Sequence, residues 1–597
     1  MTQRKLSFVL PLALGVGLFV AACGPAASPA PTAAPAAAAP TTAPAAAAKP
    51  TTAPAAAPTT APAAAPTTAA AAAAPTTAPA AAAKPTTAPA AAPTTAPAAN
   101  AAGKPVKGGQ LVVATARDAT TFDPTKSQDV YSNAVIGLVT DSLYKIDDKA
   151  QVVGSLVEKT DNPQPNIYIM TLRKGIKFTD GTDLNSEAVK FNLERHINDP
   201  KATTSQDVKD ITNIETPDPL TVKITLKGPF APFLSKLTNG AGYILSPTAV
   251  AKLGDNLPRD LTGAGSGPYK FTSWQPDNQI VLDRNPDYWG KDADGTQLPY
   301  MDKITIKPFP DENVQLTNVK TGDADVLVGP PPYKDVEDLR KATDLNVKEI
   351  PGLGFQFIFF NTEKEPFNNP AVRRAIAYAM DREQIRQAVY FGLGAALQLP
   401  VPAVIPWAYA KDNLPYTTRD VAKAKQELQS AGLSDVSFTF QISNASPQLQ
   451  QIAELTQNQL KDVGINMEIQ LLEFATIVQN GNTGEYQALS LGWSGSVDPD
   501  GNLYPLLYTK AGFNFAKYSN PDFDKLLDAG RTNLEQAQRG QAYLDAQKIL
   551  LQDQPMLVFY SNPQISVTRK EIQNYPQTYN GYWGVRDLQT VWRAKSS

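Results

Sequence analysis

The chain has 597 residues and nearly balanced charge, 54 basic against 57 acidic side chains, for a net charge of −3. No basic block or stripe interrupts that balance, which excludes the electrostatic footprint of a nucleic-acid binder and a polybasic membrane-surface segment. One cysteine, Cys23, and one histidine, His196, exclude an intrachain disulfide framework, a cysteine-rich zinc site and any Ser-His-Asp triad that does without His196.

The first element is a leader. Arg4 and Lys5 form a short positive region, and residues 6–20 follow, uncharged and mostly apolar. About fifteen residues suit the apolar part of a signal peptide and are short for a spanning helix, which needs about twenty. The stretch ends in Val20-Ala21-Ala22-Cys23, which resembles the lipobox of bacterial lipoproteins. In such a motif small residues fit a narrow peptidase cleft and the thiol accepts diacylglycerol. Residues 1–22 are thus expected to be a signal peptide and Cys23 the lipidated first residue of the mature chain, anchoring it to the cell membrane on the extracytoplasmic side.

Residues 24–108 are almost entirely Ala, Pro and Thr. Lys49-Pro50-Thr51-Thr52 returns at Lys84-Pro85-Thr86-Thr87 as low-complexity sequence, not as a solenoid unit. There is no apolar stripe, and frequent proline denies the backbone a continuous helix. Such a chain cannot offset its ordering entropy by burial, so a disordered tether is expected. Fully extended, about 85 residues would reach roughly 260 Å.

From residue 109 onward the composition is mixed and a core can form, with length for about three domains or lobes. Residues 111–114 read as a strand. Asn185 caps a predicted helix in which Val189, Leu193 and Ile197 recur every four residues. Residues 220–226 and 465–471 alternate apolar with polar, as half-buried strands do. Residues 355–360 are nearly all apolar, as a strand buried on both faces would be. Asn369-Pro370 starts a helix with Val372, Ile376 and Ala379 on one face, and Asp381 with Gln384 starts another. Further helices are predicted over 419–431 and 448–463, each ending at a glycine. Strands alternating with helices imply an α/β architecture. Lys174-Gly175 and Asp180-Gly181 are turn signals, and Gly265, Gly267 and Pro268 read as a tight chain reversal. His196, near a helix end, reads as a partner of terminal carbonyls or a solvent-facing side chain. No phosphate-binding Gly-x-x-x-x-Gly-Lys-Ser/Thr loop and no His-Glu-x-x-His or Cys-x-x-Cys pattern is present.

Four stretches together resemble the family 5 extracellular solute-binding proteins, the group holding oligopeptide-, dipeptide- and nickel-binding subunits of bacterial ABC importers. The first runs from Leu172-Arg173-Lys174-Gly175 to Asp180-Gly181-Thr182, and on to Val189-Lys190-Phe191. The second is Gly265-Ser266-Gly267-Pro268-Tyr269-Lys270-Phe271 with Trp274 and Arg284-Asn285-Pro286-Asp287-Tyr288-Trp289-Gly290. The third is Pro366-Phe367-Asn368 followed by Val372-Arg373-Arg374-Ala375-Ile376 and Met380-Asp381-Arg382. The fourth is Gly492-Trp493-Ser494 with Asp498-Pro499-Asp500, then Tyr518-Ser519-Asn520-Pro521. Arg373, Arg374, Trp274, Tyr288 and Trp289 read mainly as packing and inter-element partners.

The resemblance implies a periplasmic-binding-protein-like fold, two α/β lobes joined by a hinge with an extra domain inserted in the first lobe. Lobe I would take 109–151, 263–356 and 562–597, the extra domain 152–262, and lobe II 357–561. It also implies a monomer, without cofactor, metal or catalysis, that captures a peptide or similar small polar solute and delivers it to ABC permease subunits. A ligand-sensing lipoprotein with a signalling partner and an extracellular hydrolase are the rival readings. In peptide-binding relatives the tryptophan lines the pocket, and an aspartate three residues later pairs with the peptide amine. Here Trp493 is kept and the aspartate position holds Ser496, a neutral residue. Asp498 and Asp500 lie further along, either stabilising their own turn or reaching the ligand. The candidate ligand-binding residues are therefore Trp493, Ser496, Asp498 and Asp500.

Overall fold

A computed structural model of the chain describes residues 104–127, 129–577, 579 and 585–595. The leader, Cys23 and the expected tether up to residue 103 lie outside the described residues. Among the described residues no helix is long and apolar enough to cross a membrane.

Strand β1 (Gln110–Thr115) carries fully buried Leu111 and Val113. β2 (Tyr144–Ile146) and β3 (Val152–Gly154) pair as a hairpin. β4 (Val157–Gln164), β5 (Ile167–Leu172), β6 (Ile211–Asp218) and β7 (Thr221–Leu226) form a separate antiparallel sheet in the order β4-β5-β7-β6. Val222, Ile224 and Leu226 of β7 are buried while Thr221, Lys223 and Thr225 are half-exposed, the alternation its sequence predicts. The helix Ser186–Asn198 packs into the same core through Val189, Leu193 and Ile197. Asn185 caps it, its side chain accepting the Ala188 N–H.

The main sheet takes β8 (Tyr269–Gln275), β9 (Gln279–Arg284), β10 (Lys303–Pro308) and β11 (Val326–Leu327) beside β1. It continues through β12 (Leu345–Phe360), β13 (Ala395–Ala396), β14 (Val436–Ser443), β15 (Ile465–Leu472), β16 (Ala488–Trp493) and β17 (Met556–Arg569). The spatial order is β15-β14-β16-β12-β17-β11-β1-β10-β9-β8, with β13 paired to β17. β1 runs parallel to both β10 and β11, and β14 parallel to both β15 and β16. Strands with helices between them thus build the mixed α/β fold.

β12 and β17 pair antiparallel along most of their length, and their register shifts between Pro351 and Phe355. A Cβ on Gly352, inside that break, would stand 2.1 Å from the Asn562 carbonyl oxygen, so the two backbones approach only because the residue is glycine. Beyond the break, alternate side chains of β12 part into two cores. Phe355, Phe357 and Phe359 join one, Ile358 and Phe360 the other. This is the two-sided burial that the apolar run predicts. Each such phenylalanine contributes about 1.5–3 kcal/mol of burial.

Asn369 and Asp381 cap the helices Pro370–Ala379 and Arg382–Tyr390 as predicted. The helices predicted over 419–431 and 448–463 are Val421–Ser430 and Pro447–Lys461, their starts set by Asp420 and Ser446, whose side chains accept the Lys423 and Leu449 N–H groups. The arginines and tryptophans of the motifs tie elements together. Trp274 Nε1 donates to Asp118 at 2.9 Å and Trp289 Nε1 to Asp141 at 2.8 Å. Arg374 bonds both oxygens of Glu427 at 2.8 and 3.1 Å, and buried Arg373 donates to the carbonyls of Asp553 and Phe367.

His196 faces neither solvent nor the terminal carbonyls of its helix. It is buried, with Nδ1 2.6 Å from the Thr204 hydroxyl. Burial, reinforced by neighbouring Arg195, pushes it from the ordinary 6.5 down to about 4. Asp141 is buried too, and burial pushes it from 3.8 up to about 6. Between pH 6.5 and 4 the unfolded chain protonates His196 and the folded chain does not, so acidification destabilises through this residue. Between pH 6 and 3.8 the folded chain protonates Asp141 first, so acidification stabilises through that one. The two contributions, about 2 and about 1 kcal/mol on going from pH 7 to 5, oppose each other. His196→Gln should therefore resist urea better at pH 5 relative to pH 7 than the wild type does, and Asp141→Asn worse. Equal pH dependence in all three proteins would refute this.

Candidate ligand-binding site

β16 ends at Trp493, and a turn leads from it into the helix Asp500–Leu507. Polar bonds within the turn set its shape. Fully buried Asn502 accepts the Ser496 N–H at 2.8 Å and returns a side-chain N–H to the Ser496 carbonyl at 3.0 Å. Trp493 Nε1 donates to the Gly501 carbonyl at 3.1 Å, and the Asp498 N–H donates to Ser496 Oγ at 3.2 Å. Asp498 Oδ1 accepts the Asp500 N–H at 3.0 Å.

Both aspartates are buried, and both are taken by arginine. Arg539 Nη2 donates to the two oxygens of Asp498 at 2.7 and 2.8 Å, and its Nε to the Gly530 carbonyl at 2.7 Å. Arg531 grips Asp500 as a fork, Nε to Oδ1 at 2.9 Å and Nη2 to Oδ2 at 3.0 Å. Burial alone would depress both guanidinium groups. Asp498 and Asp500 more than offset it and hold them above their ordinary value. Of the two roles open to these carboxylates in the sequence, bracing the turn is the one the geometry displays. Arg531 and Arg539 gave no signal in the sequence, because they lie 31 and 41 residues beyond their partners.

Arg531 also touches the segment that follows β7. Its guanidinium lies 3.4 Å from the Tyr504 ring centroid and 5.1 Å from that of Phe230, and the Ala231 N–H donates to the Arg531 carbonyl at 2.8 Å.

A cavity of about 280 Å³ opens at the turn. It is lined by residues 494–497, by Leu353 at the break in β12, and by Asp207, Ser235, Lys236 and Asn239. These last four come from the helices Ser205–Val208 and Phe233–Lys236 and the turn after the second of them. Of the four residues singled out in the sequence, Ser496 lines the cavity, while Trp493, Asp498 and Asp500 do not. Trp493 packs edge-on against Phe513, ring centroids 5.6 Å apart. Lys236 Nζ lies 3.5 Å from Asp207 Oδ1. These two charged side chains went unnoticed in the sequence, where Asp207 stands in a short polar stretch and Lys236 in a mostly apolar one, neither with a periodic pattern. The arrangement can enclose a small polar solute between the turn and the two short helices.

Residues 151–515 match the family described as bacterial extracellular solute-binding proteins, family 5 Middle. The chain is 31% identical over 490 residues to the glutathione-binding protein GsiB of Salmonella choleraesuis (strain SC-B67), which covers 80% of this chain and 92% of that protein. It is similar in structure to DppA, an ABC transporter-associated periplasmic binding protein of Helicobacter pylori in complex with the peptide STSA. That likeness has a TM-score of 0.69 at 27% identity and covers 82% of this chain and 99% of that one. The oligopeptide-binding protein AppA of Bacillus subtilis, in complex with a nonapeptide, gives a TM-score of 0.67 at 26% identity over 82% of this chain and all 100% of that one.

Proposed function

Because the chain belongs to the bacterial extracellular solute-binding proteins of family 5, we propose that it captures a peptide or peptide-like solute outside the cytoplasm and delivers it to the permease of an ABC importer. The observation that carries this is the cavity between the 494–497 turn and the two short helices, on a fold shared with peptide-bound relatives.

The working division is lobe I at 109–151, 263–356 and 562–597, the extra domain at 152–262 and lobe II at 357–561. Supporting it, β1, β9 and β10 share one core, the β4–β7 sheet has its own, and two more flank the far half of β12. The hinge then falls where β12 and β17 slip register, and closure is a bend there. Ser496 and the neighbouring backbone form the lobe II wall, Trp493 anchors that wall through Gly501, and Asp498 and Asp500 brace it through arginine. The protein acts as a monomer, lipid-anchored at Cys23 and held off the membrane by residues 24–108.

One experiment reads both halves of this proposal. Native mass spectrometry of wild type drawn from membranes should find a retained solute of peptide mass and an acylated Cys23. Cys23→Ala should lose the acyl mass and enter the soluble fraction. A wild type that neither retains nor binds any peptide defeats the capture reading. A Cys23→Ala protein that stays membrane-bound and normally processed defeats the anchor.

A further inference from the structure

The carboxylates of the turn are both paired with arginine, so the wall formed by residues 494–497 offers a ligand hydroxyl groups and backbone but no free charge. Among the described residues lining the cavity, the charged side chains are Lys236 and Asp207, one of each sign. Lys236 stands in the last turn of Phe233–Lys236 and Asp207 in Ser205–Val208. Their side chains are 31% and 33% exposed, and Nζ and Oδ1 are 3.5 Å apart. A tight charge-assisted hydrogen bond is about 2.7–2.9 Å. The pair is therefore loose, and each ion retains room and bonding capacity for a second partner.

The spacing selects among ligands. In an α-amino-acid head the ammonium and carboxylate share one carbon, and standard bond lengths put them about 3 Å apart. In an extended α-linked tripeptide they stand at opposite ends, roughly 10 Å apart. A lysine and an aspartate 3.5 Å apart match the first and not the second. Resting on the solute-capture reading above, we propose that Lys236 and Asp207 are the specificity-determining pair of this cavity. They recognise a solute whose ammonium and carboxylate sit on the same carbon, as in a γ-linked glutamyl peptide. Lys236 takes the carboxylate and Asp207 the ammonium. The four charges then alternate in sign, so both ions of that head group are compensated as closure expels water. Ser235, Asn239 and Ser494 supply neutral donors and acceptors for the rest of the molecule.

Two isomers test this: glutathione, γ-linked, and the α-linked tripeptide Glu-Cys-Gly of the same composition. Calorimetric titration of the purified protein should show glutathione binding at least about tenfold tighter than the α-linked isomer. Lys236→Met and Asp207→Asn should each weaken glutathione about ten- to a hundredfold. N-acetylglutathione should bind wild type weakly and Asp207→Asn no more weakly, since the ammonium that Asp207 serves is already gone. Lys223→Met removes a lysine paired at 3.0 Å with Glu215, away from the cavity lining, and should leave affinity unchanged. The pair is partly exposed, so thermal melts of the two variants should stay close to wild type, and Lys236→Gln provides a second test of the lysine. Equal binding of the isomers, or unaltered glutathione affinity in Lys236→Met and Lys236→Gln, overturns the assignment. A protein that binds α-linked peptides and not glutathione keeps the capture reading and loses this one. A protein that binds no peptide loses both.

Discussion

Arg539→Ala is expected to destabilise the fold by about 3–5 kcal/mol, because it leaves the buried Asp498 carboxylate without its counter-charge. The side chain is almost entirely enclosed. It bonds both Asp498 oxygens and the Gly530 carbonyl, and its guanidinium lies 5.3 Å from the Trp407 ring centroid. Asp498→Asn strands the Arg539 cation in its turn and should also destabilise, somewhat less because the amide oxygen can still accept one guanidinium N–H. Replacing both members together by apolar residues, Asp498→Leu with Arg539→Met, should recover most of the loss, because the penalty of the single change is the stranded ion rather than the missing attraction. Urea midpoints of the four proteins read this directly. The same series separates bracing from ligand contact. If Arg539→Ala leaves the midpoint unmoved while Asp498→Asn weakens peptide binding in folded protein, Asp498 serves the ligand and the bracing role is wrong.

Gly495→Ala is expected to damage stability and binding together. Gly495 lines the cavity at φ +82°, and a Cβ there would lie 2.2 Å from the Leu353 carbonyl oxygen at the break in β12. The left-handed backbone costs an L-residue about 1–2 kcal/mol, and forcing the neighbouring backbone away about 1–3 kcal/mol more. Relief of that clash must shift the turn that carries Ser494 and Ser496, so affinity should fall about tenfold or more. Gly512→Ala is the control. A Cβ at Gly512 meets nothing within 4 Å, and its melting temperature and affinity should match wild type. A Gly495→Ala protein that melts and binds like the Gly512→Ala protein would show that the turn does not depend on this close approach.

Much of the fold was legible locally. The β7 alternation, the apolar run of β12 and the caps at Asn185, Asn369 and Asp381 follow from residues within one strand or one helical turn of each other. The family motifs were legible for the same reason, and they led to the 493–500 segment. That Ser496 stands where peptide-binding relatives carry an aspartate was legible from the motif, while its place in the cavity lining came from the tertiary structure.

Other roles depended on contacts between distant segments. Gly265 and Gly267 read as a chain reversal, yet neither needs a left-handed backbone. A Cβ on either would collide with the end of the helix Val130–Val139, 1.9 Å from the Val139 carbonyl oxygen for Gly265 and 2.6 Å from its carbonyl carbon for Gly267. Asp498 and Asp500 were equally compatible with a ligand and with a turn until Arg539 and Arg531 were placed on them. Lys236 and Asp207 carried no pattern in the chain and became a pair with a spacing only when two short helices met at the cavity. By itself the sequence determined the periodic burial, the caps and the family, since these depend on the spacing of side chains along one element. The tertiary structure alone decided which charges are neutralised and which face the cavity, because a charge's role is set by the group opposite it, and that group comes from a remote part of the chain.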